Sequence, residues 1–323
     1  MHRALATWQF LSESVGAGLP TMLLYVLESH GSSPGRQGFV MGVNANGAMQ
    51  GSIGGGIMEH KFVQLAREQL ASGVAESAVR KQIHNKTAPK DQSGMICSGE
   101  QTILLYPLQS SDYELITDII SCLQHEQQGV LMLSPAGLAF APGQGLAEGF
   151  AFRQQSETDW LYQEQLGYKQ HLHIVGGGHC SLALSRLMRT LDFRISLYED
   201  RPQLNTFLEN DAAHQKTVVE TYHEMAAHIP DGANQYVVIM TVGYRTDDIA
   251  VRALLPKNLR FLGVLGSQKK IEKLLGDYRA EGISPAYLAK LCAPVGLPIH
   301  SQTPEEIAIS IAAQLIAVKN HKS

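Results

Sequence analysis

The chain has 323 residues, of which 44% are hydrophobic and 17% charged, a composition typical of globular proteins with room for two domains of ordinary size. Its formal net charge of −4, without clusters of Lys and Arg, argues against a nucleic-acid or membrane-surface protein, because phosphate-rich partners need concentrated positive charge. The first residues lack the basic-then-apolar order of a signal peptide, and no apolar run reaches the roughly 18–20 residues of a membrane span, so a cytoplasmic protein with a small-molecule ligand is expected.

The first elements along the chain predict a mixed α/β domain. A weakly amphipathic helix, a buried strand and a loop rich in Ser and Gly are followed by two short strands around a hairpin turn. In chain order these elements are 2–16, 21–27, 30–35, 39–43 and 48–51, with the turn at 44–47.

The sequence GSIGGGIMEH at 51–60 places three adjacent glycines, Gly54–Gly56, directly before an amphipathic helix that runs to Gly73. Glycine weakens a strand or helix interior by roughly 0.5–1 kcal/mol relative to alanine, so such a cluster indicates a tight turn or a ligand's close approach. The free N–H groups of the following helix would favour an anionic ligand. For Glu59, in the first turn, a capping role is the preferred interpretation over a contact with a ligand's N–H groups.

Between this helix and the second half of the chain, the sequence predicts helices and strands separated by polar segments. The polar segment 86–99 leads into a strand at 100–107, so Cys97 falls on a loop just before a strand. A helix at 113–127, a strand at 129–133 and a polar connection at 141–167 follow. We therefore assign residues 1–150 to one domain, 151–167 to a linker and 168–323 to a second domain.

In the second domain, strand-like runs alternate with helical ones, which predicts βαβ units and a parallel sheet. The strands are expected at 172–175, 193–198, 235–241 and 261–265. Ligands of such sheets bind at the carboxyl ends of the strands. The residues expected at those ends are Gly176, Gly178, Asp200, Thr241, Gly243, Gly266 and Ser267.

The stretch Gly176–Ser181 matches most of the dinucleotide fingerprint, but Ser181 stands where a third glycine or alanine is expected. The acid that would accept a ribose hydroxyl appears as Glu199 and Asp200 after the next strand. This pattern predicts a dinucleotide-type βαβ fold and leaves nucleotide binding open. The alternative is a tight turn in which Asp200 pairs with Arg201 or caps a helix.

Hydride transfer to NAD would also need a general acid or base near the nicotinamide. His179 and His300 are candidates, but no surrounding motif singles them out. The four cysteines, Cys97, Cys122, Cys180 and Cys292, form no CxxC pair, so a zinc knuckle or iron–sulfur cluster has no support.

Six motifs in order resemble the XdhC/CoxI family, accessory proteins of xanthine and carbon monoxide dehydrogenases. They cover nearly the whole chain. The motifs are His30–Pro34, Gly51–Glu59, Cys97–Gly99, His173–His179, Gly263–Ser267 and Thr303–Ile307.

The resemblance implies an N-terminal XdhC/CoxI domain, a C-terminal Rossmann-like domain and a homodimer. It implies a chaperone more than an enzyme, which binds molybdenum cofactor, holds it while a cysteine desulfurase supplies sulfur, and delivers it to an apo-molybdenum hydroxylase of the xanthine dehydrogenase type. The residues it points to for cofactor binding, together with the strand ends above, are Ser33, Ser52, Gly54, Gly55, Gly56, Glu59, Cys97, Gly176, Gly178, His179, Asp200, Thr241, Gly266 and Ser267.

For Cys97, contact with molybdenum or sulfur and a role as a small buried apolar side chain are both open. The chain also departs from the family pattern, with Ile57 where Cys is common, Ser98 where a second glycine is common, and a stretch 241–248 without histidine. Two other functions therefore stay in view. One is an NAD(P)-dependent oxidoreductase that uses a dinucleotide in the second domain, and the other is a docking partner without cofactor.

Overall fold

The computed structural model describes residues 4–84, 99–146 and 149–321. The chain divides into two compact units, Met1–Gly167 and Tyr168–Ser323. The expected fold class is confirmed: the first unit is α/β with antiparallel sheets, and the second is a Rossmann-like parallel-sheet domain. No helix of the described part of the chain is both long and apolar enough to span a membrane.

The first unit contains two antiparallel sheets. Among the described residues, one has the strand order β3-β2-β1-β5-β4 and the other β7-β6-β9-β8. The elements are α1 (Leu5–Gly16), β1 (Thr21–Gly31), β2 (Val40–Asn44), β3 (Met49–Gly51), α2 (Gly56–Ser72), β4 (Ala78–His84), β5 (Gly99–Pro107), α3 (Asp112–Gln124), β6 (Gly129–Ser134), β7 (Gly137–Pro142), β8 (Phe150–Gln154) and β9 (Trp160–Leu166).

Strand β1 lies in the middle of the five-stranded sheet, and both of its faces are buried. Leu23 and Tyr25 point into a core shared with α1, α3 and the second sheet. Leu24 and Val26, which alternate with them, pack against α2 on the opposite face. A strand buried on both sides reads as a continuous apolar run, and for that reason the sequence predicted it well.

Residues 151–167, expected to form a polar linker, form most of β8 and all of β9 instead. Trp160 and Tyr162 lie in the core of the first unit. The polar residue Glu164 is also buried, and it accepts hydrogen bonds from Tyr25 Oη at 2.6 Å and Tyr162 Oη at 2.8 Å. A buried carboxylate can occupy a core position when its hydrogen bonds are satisfied. For this reason the polar residues of this stretch did not indicate a strand in the sequence.

The second unit contains one parallel sheet with helices on both faces. The elements are β10 (Gln170–Val175), α4 (His179–Arg189), β11 (Phe193–Glu199), α5 (Asn205–Leu208), β12 (Gln215–Val218), a 3-10 helix (Glu224–His228), β13 (Gly232–Ile239), α6 (Tyr244–Leu254), β14 (Leu259–Val264), α7 (Gln268–Ala280), α8 (Pro285–Leu288), β15 (Leu291–Cys292) and α9 (Pro304–Asn320).

The strand order in this sheet is β12-β11-β10-β13-β14-β15. Leu172 and Ile174 of β10 pack with α4 and α9 on one face, and Val175 packs with α6 and α7 on the other. The order reverses between β10 and β13, and such a switch point opens a crevice at the carboxyl ends of the strands. The fold therefore brings the loops after these two strands together.

Candidate functional site

The turn before α2 is held by the carboxylate of Glu59. Its Oε2 accepts hydrogen bonds from Ser52 Oγ at 2.6 Å, from the Ile53 backbone N at 2.9 Å and from the Gly55 backbone N at 3.0 Å. The Ser52 hydroxyl in turn accepts from the Gly54 backbone N at 3.0 Å. One side chain in the first turn of the helix thus fixes the loop that precedes it.

The electrostatics of Glu59 match this geometry. Burial by itself would raise the pKa of the carboxyl, but the hydrogen bonds from Ser52 and from the backbone of Gly55, Ile53 and Gly54 outweigh it. The net result is a lowered pKa, so the carboxylate form is favoured. The cap interpretation of Glu59 is therefore the one its contacts support.

The three glycines adopt backbone angles that other residues rarely reach, with φ of +128° at Gly54, +74° at Gly55 and +70° at Gly56. A Cβ on Gly54 would lie 2.3 Å from the Gly35 backbone N, so this glycine is required by contact with another loop. A Cβ on Gly55 or Gly56 would meet no atom of the described residues within 4 Å. Within the part of the chain that the structure describes, the turn is thus closed at Gly54 and open at Gly55 and Gly56.

The neighbouring loop locks onto this turn. A Cβ on Gly35 would lie 2.0 Å from the Ile53 carbonyl oxygen, and Gln101 Nε2 donates to that same oxygen at 3.1 Å. Ser33 Oγ donates to the Gly35 carbonyl at 2.7 Å, and a Cβ on Gly99 would lie 2.6 Å from the Ser33 backbone N. We call residues 33–35, 52–59 and 99–101 the glycine cradle.

The rim of the cradle combines an apolar side chain and a cation. Ile57, at the position where the family resemblance leads one to expect Cys, is 58% exposed, and the preceding Gly56 is exposed as well. Arg36, exposed, follows Gly35 and donates one hydrogen bond to the Gly31 carbonyl at 3.0 Å.

Cys97 lies outside the described residues, so its predicted contact stays a prediction. The described chain resumes at Gly99, two residues later, within the cradle. No group of His, Cys, Asp or Glu side chains suited to hold a metal ion occurs among the residues that the structure describes.

In the second unit, the glycine loop after β10 packs against the end of β13. Gly176 has φ of +100°, and a Cβ there would lie 2.6 Å from the Met240 carbonyl oxygen. Ser181, fully buried, donates its hydroxyl to the Gly176 carbonyl. This bond explains how a serine replaces the third glycine of the fingerprint: it closes the loop onto α4.

The acids after β11 are engaged by the chain itself. Glu199 Oε2 accepts from the Gly177 backbone N, and Arg201 donates to Glu199 through Nε at 2.6 Å and through Nη2 at 3.0 Å. Asp200 accepts from Tyr222 Oη at 3.0 Å and lies 3.5 Å from Arg201 Nε. The alternative in which Asp200 pairs with Arg201 is thus supported by a contact.

The pKa directions of these two acids differ. Burial would raise the pKa of Glu199, but the hydrogen bonds from Arg201 and Gly177 outweigh it and lower the pKa. The pKa of Asp200 is raised, first by burial and then by its neighbour Glu199. The carboxylate bonded to the glycine loop is therefore the more stable anion of the pair.

The ends of β13 and β14 are joined by a buried acid. Asp247 Oδ1 accepts from Thr241 Oγ1 at 2.6 Å and from the Thr241 backbone N at 3.1 Å, and its other oxygen is ion-paired with Lys270. Ser267 caps α7 by accepting from the Lys270 backbone N at 3.3 Å. Gly266 allows Lys270 to fold back, because a Cβ there would lie 3.1 Å from its side chain.

The predicted site residues thus fall into two groups, one in each unit. Ser33, Ser52, Gly54–Gly56 and Glu59 meet in the cradle. The second group lies at the carboxyl ends of β10, β11, β13 and β14 and comprises Gly176, Gly178, His179, Asp200, Thr241, Gly266 and Ser267. The hydroxyls of Ser33 and Ser52 are used within their own loops, so a role toward a ligand stays a prediction for them.

Sequence reasoning missed Gly35, Gln101 and Lys270. Gln101 lies between Glu100 and Thr102 in the polar first half of β5, so the sequence alone carried no signal for the bond that its buried amide donates to Ile53.

Comparison with known proteins gave two family models along the chain. The model described as the XdhC and CoxI family matches residues 14–81, and the one described as the XdhC Rossmann domain matches residues 172–315. They fall in the first and the second unit, respectively.

Two curated relatives are similar in sequence. The uncharacterized protein YqeB of Escherichia coli (strain K12) is 23% identical over 94% of this chain and 44% of its own length. A probable xanthine dehydrogenase subunit from Bacillus subtilis (strain 168) is 26% identical over 50% of this chain and 47% of its own length. The chain thus covers less than half the length of each.

A crystal structure of a xanthine dehydrogenase from Bacillus halodurans is similar in fold, with a TM-score of 0.70 and 22% identity over 98% of this chain and 97% of that one.

Proposed function

Because the chain belongs to the XdhC and CoxI family, we propose that it is an accessory protein that binds molybdenum cofactor, holds it for sulfuration and delivers it to a xanthine dehydrogenase-type molybdenum hydroxylase. Family membership and the similarity to a probable xanthine dehydrogenase subunit support the accessory role. The observation that carries the cofactor part is the glycine cradle, in which three motifs distant in sequence meet around open backbone.

The cradle fits the chemistry of this cofactor. Molybdopterin combines a polar pterin, a phosphate and a dithiolene-bound metal. Among residues 4–84, 99–146 and 149–321, no atom occupies the space where a side chain on Gly55 or Gly56 would lie, so a ligand can approach the backbone closely there. The first-turn N–H groups of α2, a helix of 17 residues, suit an anionic or carbonyl edge.

Each part of the cradle has a separate task in this proposal. Glu59 holds the turn in shape through Ser52 and Gly55, so the binding surface is formed before the ligand arrives. Ile57 would offer an apolar contact to the pterin, and Arg36 would supply positive charge for its phosphate. The bound cofactor supplies the molybdenum centre whose sulfido ligand the client enzyme needs.

The test is anaerobic purification from a molybdenum-replete host, followed by metal analysis and by fluorescence of the oxidised pterin. Molybdenum and pterin in equal amounts on the folded wild type are expected. Ile57→Asp, which places a negative charge beside the open turn, should lower both. Val74→Asp, an equally exposed apolar position beyond the other end of α2, is the matched control. A folded wild type without pterin would refute the proposal.

Cys97 is tested in the same experiment. Cys97→Ala should reduce the molybdenum and pterin content if the thiol contacts the metal or relays sulfur, whereas Cys292→Ala in the second unit should leave both unchanged. Equal loading of the two variants would assign Cys97 to the role of a small apolar side chain.

The proposed partners are a cysteine desulfurase, the client hydroxylase and a second copy of the chain. Light scattering on the purified protein tests the homodimer, and co-purification with each candidate enzyme tests the other two. A monomer at all concentrations would remove the homodimer from the proposal.

A further inference from the structure

The nucleotide position of the Rossmann-like unit is filled by the chain's own side chains. Glu199 is the last residue of β11, at the place of the acid in the dinucleotide fingerprint, yet its side chain is fully buried. Gly177 N, the Arg201 backbone N and the Arg201 guanidinium all donate to it. Its acceptor positions are therefore directed at protein groups.

A dinucleotide would bind to the acid and to the N–H groups of the glycine loop, but here these two groups already bond to each other. Its ribose hydroxyl donates to the acid after the second strand, and its pyrophosphate accepts from the N–H groups of the glycine loop. Here the Glu199 carboxylate accepts a hydrogen bond from the Gly177 N–H of the loop. This bond therefore occupies the position between the acid and the loop that a dinucleotide would otherwise fill. The bidentate arginine makes the pair costly to open, because separating it would leave a buried carboxylate without its cation.

Packing closes the same side of the loop. A Cβ on Gly177 would lie 3.0 Å from Glu199 Oε2 and 3.0 Å from Phe207 Cβ. The Gly177 carbonyl also accepts from Thr206 Oγ1 at 2.6 Å, which ties the loop to α5. By contrast, a Cβ on Gly178 would meet no atom of the described residues within 4 Å. The loop is thus closed toward β11, where the adenosine half of a dinucleotide would lie.

We infer that the Glu199–Arg201 pair is a specificity determinant that excludes nucleotides from the second unit. The exclusion of nucleotides does not depend on the proposed function, and it removes the basis for an NAD(P)-dependent oxidoreductase.

Nucleotide binding is tested by thermal shift and calorimetry with millimolar NAD+, NADP+ and ADP-ribose. The wild type should give no signal with any of them. Arg201→Ala, and as a second variant Arg201→Gln, should gain measurable binding of NAD+, because each frees the Glu199 carboxylate for a ribose hydroxyl. Circular dichroism establishes that each variant is folded. Binding by the wild type would overturn the inference, and so would folded variants that both remain silent.

Discussion

Replacing Glu59 by alanine should destabilise the first unit and open the turn before α2. The change removes the acceptor of three hydrogen bonds, from Ser52 Oγ, Ile53 N and Gly55 N. A hydrogen bond to a charged group contributes about 1.5–3 kcal/mol, but these three share one oxygen and the side chain is partly exposed, so their sum is not additive. We expect a loss of about 2–3 kcal/mol in the free energy of unfolding.

Urea unfolding followed by tryptophan fluorescence measures this loss in the right part of the molecule. The chain has two tryptophans, Trp8 and Trp160, and both are buried in the first unit. Glu68→Ala is the matched control, because this acid lies on the same helix, is exposed and accepts one bond from Gln64. Its effect should stay within about 0.5 kcal/mol. A loss for Glu59→Ala no larger than that of the control would refute the assignment of Glu59 as the organiser of the cradle.

The pH dependence of the same variant gives a second readout. The pKa of Glu59 is lowered from 4.5 in the folded state, because the bonds from Ser52 and the turn outweigh the effect of burial. Its contribution is therefore fully present above about pH 4.5 and is lost as the pH falls through the folded pKa. The difference between wild type and Glu59→Ala should shrink in acid.

Three further outcomes are expected. Gly54→Ala should prevent stable folding of the first unit, because its Cβ would lie 2.3 Å from the Gly35 backbone N. Gly55→Ala should lower the free energy of unfolding by about 1 kcal/mol, from its positive φ alone. Equal effects of the two variants in urea unfolding would contradict the contact at Gly54. Burial lowers the pKa of His173 from 6.5 to about 4, so its contribution to the stability of the second unit should be full above about pH 6.5 and fall by about 3 kcal/mol as the pH approaches 4, in addition to the losses from His171 and His214, whose pKa values burial also lowers. Circular dichroism melts between pH 4 and 8 measure this loss, and a His173→Asn variant with the same slope would show that another group is responsible. Lys270→Met should destabilise the second unit by about 2 kcal/mol, because it leaves Asp247 buried without its cation. Lys270→Arg should recover part of this loss. Equal melting temperatures for the two variants would contradict the ion pair.

The sequence was informative wherever local chemistry decides the structure. The glycine turn before α2, the loop after β10 and the parallel sheet follow from glycine's conformational range and from apolar runs. The capping role of Glu59 could likewise be predicted from the sequence, because an acid in the first turn of a helix is favoured. These features depend on residues close together in the chain.

The rest depends on contacts between distant residues. The approach of Gly35 to Gly54 and the bond from Gln101 to Ile53 arise from strand pairing, which one sequence does not specify. Strand β9 was missed because Glu164 is a buried carboxylate held by two tyrosines. Sequence reasoning did not distinguish Glu199 from the adjacent Asp200, although the alternation of Glu199 with Ile195 and Leu197 places it on the face of β11 that packs toward α4.

The route by which the cradle forms has a kinetic consequence. The pairing of β1 with β5, in which Gly31 lies opposite Gly99, brings segments of the cradle together across a long separation in the chain. Contacts of such sequence separation form slowly, so the cradle is completed late in folding. Under the proposed function, a chain that has not finished folding would have no binding site for the cofactor, and binding would add RT ln(1 + [L]/Kd) to the stability of the folded state alone. The oxygen-sensitive ligand would in this way bind only to molecules that have already folded.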